Sequence, residues 1–452
     1  MAKNKTLELS IKIAGKMDKS LTAALTNTQS QISSFSRGIS KIGTAGLAAM
    51  GALATGTIAA IADCTKEAKA FEHQMADVVK YVDGLADSAG KVSNLISAET
   101  GKTFAENYGA MTDALLDLST QIPMTAEELT KLAAAAGQSG KGITDLIQYD
   151  SAGNIQGFLK DVAMVGTAMD ITADQAGNWA AKWEKSFNMT HDEIMVVFDQ
   201  INYLGANSAT TAAEIANAVN SAASLGQIAG ADVATTAALA DAMLATGVAS
   251  DRVGTSIKRT FTNLSKGSNA TKAQKDLWLE LGFTAEGVAK SMQTDSIGTL
   301  KAVYTAINNM PSERQVAALS TLFGQWAIEG NAKVVGNMGV FLDALNMVGD
   351  PSQYSGSMER EFIIKASTSE AIDTMNANAL QALKIDFGTA FLPAKKEFSL
   401  AMIDFLNEIR DNMPELAKLA ESLGTLASKG VSKLGDAMDW ALPYIKWALI
   451  IW

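Results

Sequence analysis

Residues 190–205 read THDEIMVVFDQINYLG, and their spacing sets the fold. Ile194, Val197, Phe198, Ile201 and Leu204 recur every three or four positions, the period of one helix face. Thr190 stands where a hydroxyl can accept from the third backbone amide of a helix. Glu193, three residues on, reaches back to the amide of the cap. Gly205 follows the last apolar position, where a left-handed residue is expected to close the helix.

The same start signal recurs on both sides, at Thr103/Glu106, Thr125/Glu128, Thr172/Gln175, Thr211/Glu214, Thr271/Gln274 and Ser312/Gln315. One such pair is cheap; a series of them before apolar-periodic segments marks a helical array. Gly137, Gly226, Gly247 and Gly282 are expected to end helices as Gly205 does. Residues 103–345 therefore read as helices of roughly 10–18 residues joined by short turns. The intervals between starts are irregular, which argues against a regular solenoid. The fold class is all-α, with longer helices towards the C-terminus. One short strand is expected at 6–13, TLELSIKI, where apolar and polar residues alternate strictly.

Domain boundaries follow from composition. Residues 1–41 form a basic arm, with seven cations against Glu8 and Asp18, or +5, in a chain of net charge -11. That arm either touches an acidic partner or anionic surface, or is simply solvated. Residues 42–70 are an apolar Ala/Gly-rich helix, and 71–348 a helical core domain. Gly, Pro and Ser cluster in GDPSQYSGS, so 349–357 reads as a linker. Residues 358–439 continue as helices, with Leu380, Leu383, Phe387 and Phe391 at helical spacing and Pro393 and Pro414 as punctuation. Residues 440–452, WALPYIKWALIIW, open a further apolar segment. Because the sequence stops inside that run, it is expected to be the front part of a longer chain.

Residues 42–62, IGTAGLAAMGALATGTIAAIA, carry no charge. As a helix they would place Ala48, Ala52, Gly56 and Ala60 on one smooth strip that lets another helix approach closely. They would also reach ~31 Å, about one hydrocarbon thickness. Three readings stay open: a helix buried between sister copies, a latent membrane segment, and a loosely ordered stretch. The four glycines and three threonines dilute the membrane reading.

Composition narrows the function. Apolar residues make up 48% and aromatics only 6%. That balance suits helices packed through Ala and Gly. The negative balance opposes long-range attraction to nucleic acid. Cys64 is the one cysteine, so no intrachain disulfide forms. His73 and His191 are the only histidines, and His191 sits in THDE, where a helix start is polar anyway. Three or four clustered ligands are needed for a metal. No His-Glu-x-x-His, Cys-x-x-Cys or Gly-x-Ser-x-Gly occurs. GQSGKG at 137–142 misses the phosphate-loop spacing and follows a helix instead of a strand, so it reads as a helix end and turn. Asp113 and Asp117 read as a solvated helix face. No catalytic, cofactor-binding or metal residue is assigned, and no enzyme activity is expected.

A series of short signatures occurs in a fixed order. These are ELTKLAAAAGQSG (128–140), VFDQINYLGANSATTAAEIANAV (197–219) and SLGQIAGADVATTAALADAML (224–244). RVGTSIKRTFTNL (252–264), LGFTAEGV (281–288), FGQWAIEG (323–330) and LKIDFGTAFLPAKKEF (383–398) follow. Each alone is weak, because Ala, Gly and Leu are common. In this order, over about 71–400, they resemble the core region of bacteriophage tail tape-measure proteins. Two positions depart from the family pattern, at Val253-Gly254-Thr255 and within GADVATT. Some relatives carry a peptidase or muralytic domain; none is visible here.

The resemblance implies a structural ruler of a tailed phage or phage-derived particle. It would lie inside the tail tube as several copies, a homotrimer, and leave ahead of the DNA, with apolar segments aiding envelope penetration. The partners implied are the tail tube protein, distal tail and baseplate hub proteins, tail assembly chaperones and the host membrane, with no specific nucleic-acid binding and no cofactor. An unbroken helix of this length would span ~680 Å. The caps and glycines argue against such a rod, so 71–345 is expected to be compact. The rival reading is a membrane-inserting helical pore or toxin-like protein. It accounts for both apolar runs but not for the ordered motifs.

Overall fold

A computed structural model describes residues 55–389 and 392, with side chains from 63 onward. Lys66–Asp386 form one compact unit. The described residues on either side of it belong to a second unit. The expected strand at 6–13, the basic arm, most of the 42–62 run and the segments beyond 392 lie outside the described residues.

Helix follows helix, as the spacing requires. The first are α1 (Thr55–Tyr81), α2 (Phe104–Gln121), α3 (Ala126–Gln138) and the single turn α4 (Ile143–Leu146). Next come α5 (Phe158–Met169), α6 (Ala173–Phe187), α7 (His191–Asn207), α8 (Ala212–Ile228), α9 (Val233–Ala245) and α10 (Ser250–Leu264). After a short 3-10 turn come α11 (Lys272–Glu280), α12 (Ala285–Thr294), α13 (Ser296–Asn308) and α14 (Ser312–Phe323). The described chain closes with α15 (Ile328–Gly336), α16 (Met338–Gly349), α17 (Pro351–Tyr354), α18 (Ser357–Ala366) and α19 (Ser369–Thr389). The described strands are β1 (Gln148–Tyr149) and β2 (Ile155–Gln156), an antiparallel pair.

Helix starts follow the local chemistry. Thr103, Thr125, Thr190, Thr211 and Thr271 each close a full capping box with the residue three positions on. Thr172 makes half of one, accepting from the Gln175 amide. Ser312 does not cap. Pro311 occupies the cap position of α14, and Gln315 instead bonds the carbonyls of Asn308 and Met310, both at 3.0 Å.

Helix ends divide in two. Gly247 and Gly282 take φ of +90° and +86°, as C-terminal glycines should. Gly137, Gly205 and Gly226 lie within helices, where their role is close approach. A Cβ on Gly205 would lie 2.4 Å from the Ala212 nitrogen.

The core stripe of α7 is buried throughout: Ile194, Val197, Phe198, Ile201 and Leu204 are each 3% exposed or less. Its inward neighbours are small. Helix α9 is buried almost all round, with Ala237, Ala238, Ala240 and Ala242 letting α8, α10 and α16 pack closely around it. The few aromatics stack locally. The Trp183 ring lies 5.9 Å from Trp179 and 5.0 Å from Phe198, and its Nε1–H donates to Asn220 at 3.1 Å. A second knot sits where α10, α13 and α15 meet. There the buried Asn331 accepts from the Tyr304 hydroxyl at 2.8 Å and donates to Thr260 at 2.9 Å. Burial raises the Tyr304 phenol well above its ordinary pKa, so it stays a donor.

The break expected at 349–357 is instead a packed turn. Helix α7 holds it with its polar residues. Gln200 donates to the Val348 carbonyl at 2.9 Å, and Asn202 to Ser357 at 2.8 Å. The Asp199 carboxylate accepts from the backbone amides of Gly356 and Met358, both at 2.8 Å, and so caps α18 from a distance. Tyr354 is buried beneath. Replacing Asp199 by alanine is expected to cost about 2 kcal/mol, two charge-assisted bonds lost. Urea denaturation reads the loss, and trypsin cleavage after Arg360 should accelerate.

Candidate functional site

The residues weighed in the sequence are scattered by the fold. His73, on α1, lines an open cleft of about 370 Å³ with Asp77, Glu127, Lys131 and Asp174. One carboxylate there is already bonded twice: Lys131 donates to Glu127 at 2.7 Å, and Gln74 reaches it at 3.5 Å. The 137–142 segment is a helix end and turn. Lys141 N–H donates to the Ala136 carbonyl at 3.2 Å, and Gly140 carries φ of +85°. Asp113 and Asp117 are exposed on α2.

His191 does more than open a helix. Its Nε2 lies 3.0 Å from Asp161 of α5, and its Nδ1 lies 3.2 Å from Glu184 of α6. Lys141, from the turn after α3, pairs with the other oxygen of Glu184. The Phe158 ring covers the group, 5.3 Å from the imidazole and 5.1 Å from the lysine nitrogen. Burial works against the imidazolium. The hydrogen bonds to both carboxylates, and then their charges, outweigh it and raise His191 to about 9. Burial likewise opposes the Glu184 charge, yet His191 and Lys141 hold its carboxyl below the usual range.

Two cations and two carboxylates thus neutralise each other between four elements. The arrangement gives neither a base nor a metal site. Both ring nitrogens are occupied as donors, and the two carboxylates sit on opposite sides of the ring, so no single point has three ligands converging on it. Among the described residues, no cluster of His, Cys, Asp and Glu suits a metal ion.

A second buried charge stands alone. Asp241, within α9, is 1% exposed and receives a hydrogen bond from Ser208 at the end of α7. Burial raises its carboxyl to about 6, against the opposing pull of that hydrogen bond. The carboxylate is enclosed and the Ser208 hydroxyl half-buried, and among the described residues no histidine or lysine bonds to either.

The remaining clefts are shallow. One of about 450 Å³ lies between the turn before α3, the turn after α5 and the start of α19, and includes Glu128, Asp170, Lys365 and Glu370. Lys365 and Asp170 already pair across it. Among the described residues, no helix is long and apolar enough to cross a membrane. The expectation of a transmembrane segment finds no support there; the side chains of 42–62 lie outside the described residues.

What the arrangement offers is a closely packed set of helices joined by buried polar bonds. Comparison with known proteins agrees with that character. Residues 112–324 match the family model of phage-related minor tail proteins. A probable tape measure protein of Halomonas phage phiHAP-1 is 26% identical over 364 residues, which cover 79% of this chain and 40% of that relative. The chain therefore corresponds to less than half of that protein's length. No solved structure matches.

Proposed function

Starting from a tape-measure-like chain, similar to structural proteins of phage tails, we propose that it acts as the length-setting scaffold of a tail. In this reading several copies, three in the simplest arrangement, lie in the lumen while the tail tube protein polymerises around them. Hub proteins hold one end, and assembly chaperones deliver the complex. On infection the copies leave ahead of the DNA. The observation that carries the reading is the 364-residue likeness to a probable tape measure protein. Its physical support is a helical unit in which polar groups are spent on capping and on joining helices. The domain division we propose is a compact helical unit over Lys66–Asp386, flanked by segments that serve the tube and its ends.

Affinity purification from infected or induced cells tests this reading. The chain should bring down a ring-forming tube or hub protein, with a few copies of the chain for each ring of the partner. Recovery without any tail component, with the same bait present in tail-less particles only, would contradict it.

A further inference from the structure

Along α10, Arg252, Ser256, Arg259 and Asn263 fall on one helix face. Three of them clasp the turn between α14 and α15. Asn263 donates to the Phe323 carbonyl at 3.4 Å, Ser256 to the Trp326 carbonyl at 3.4 Å, and Arg252 pairs with Glu329 at 3.0 Å. The Trp326 side chain leaves this clasp for solvent and is 76% exposed. Arg259 stands exposed on the same face, and no ion pair to it is formed among the described residues. The sequence around it is locally basic. Residues 252–275 contain Arg252, Lys258, Arg259, Lys266, Lys272 and Lys275 and no carboxylate, so a net of -11 leaves -17 for everything else.

A complementary face lies on other elements. Asp113 and Asp117 are one turn apart on α2, and Asp386 of α19 is close enough to feel both. All three are exposed. Burial and then the repulsion from Asp113 and Asp117 hold the Asp386 carboxyl above its ordinary pKa. Tyr149, half exposed on β1, feels the same two carboxylates. No ion pair neutralises this group among the described residues.

We propose that these two faces are the halves of one contact between copies of this chain, with Arg259 and Trp326 of one copy seated on Asp113, Asp117 and Tyr149 of the next. Trp and Arg are the residues that most often dominate protein contacts. A nucleic acid or an anionic lipid surface could use only the basic half, and each would meet the negative field of the rest of the chain. A second copy satisfies both halves at once. Because the halves differ, the contact is heterologous: it closes into a ring if the rotation allows and otherwise continues as a filament. How copies are held together is a question the tail reading leaves open. The test uses no tail, so its failure leaves that reading standing.

Sedimentation velocity of the full 452-residue chain provides the test, at low and at high salt. Association should weaken with salt, because exposed charges are screened. Arg259→Glu with Trp326→Ala should weaken it about tenfold or more, and so should Asp113→Lys with Asp117→Lys. Circular dichroism controls for folding; all four side chains are exposed. Mixing the two variants leaves one intact pair of halves, beside a charge-reversed pair that lacks Trp326, so association should return. A chain that stays single at low salt, or variants that associate unchanged, would overturn the proposal. So would a mixture that fails to dimerise, or capture of DNA or anionic vesicles through Trp326 without self-association.

Discussion

Replacing His191 by leucine is expected to destabilise the Lys66–Asp386 unit by about 3 kcal/mol near pH 6, the cost of leaving enclosed carboxylates without their cation. Asp161 and Glu184 approach the imidazole from opposite sides, so its loss strands both, with Lys141 left to neutralise one. The pH dependence separates this from a simple packing defect. His191 is raised from 6.5 to about 9 in the folded chain. A raised pKa contributes stability that is complete below the unfolded value and is lost as pH climbs through the folded one. The native chain should therefore lose at most about 3 kcal/mol between pH 6.5 and 9. On the acid side the sign reverses. Glu184 is held below its ordinary value, so its contribution is present above that value and fades as pH falls. Urea midpoints measured from pH 4 to 9 should show this slope above 6.5 for the native chain and none for His191→Leu. Parallel curves would refute the account of the cluster.

The opposite effect is expected at Asp241. Here the carboxyl is raised from 3.8 to about 6 by burial, with only Ser208 as a partner. The same sign rule makes the ionised group a cost: stability is lost as pH rises through 6 and is fully restored only below 3.8. Two pKa units correspond to about 3 kcal/mol. Asparagine keeps the shape and the acceptor for Ser208 but adds an amide donor in a closed site, which costs about 1 kcal/mol. Asp241→Asn should therefore be about 2 kcal/mol more stable than the native chain at pH 8 and no more stable at pH 4. Thermal or urea unfolding at the two pH values reads this directly, and a destabilised variant at pH 8 would show that Asp241 is ionised for a structural purpose.

The helical array was legible because its signals are short-ranged. A cap and its partner lie three residues apart, so Thr190 and Glu193 identify each other without knowledge of the fold. The α7 stripe needs only the helix period. Most failures depend on contacts that three- and four-residue spacing rules do not reach. Gly205 and Gly247 look alike in sequence; the nearness of Ala212 makes one a point of close approach, while the other ends a helix. The 349–357 stretch has the composition of a linker, but Asp199, 157 positions from Gly356, fixes it as a packed turn. Leu380 and Leu383 keep helical spacing yet face outward, 50% and 38% exposed. Ala371, Ala382 and Ile385 are the buried apolar side chains of α19, and the buried Asn378 donates to the carbonyls of Ser119 and Met124. The charged cluster was missed for the same reason: Asp161 stands 30 residues from His191, and no spacing rule joins them.

Tail length in particles whose full gene carries in-frame deletions tests the central claim most directly. Electron microscopy should find no tails when helices within Lys66–Asp386 are removed, because the compact unit must fold as a whole. Deletions in the extended parts of the gene should give tails shorter by ~1.5 Å for each residue removed. Normal tails of unchanged length after both kinds of deletion would contradict the account.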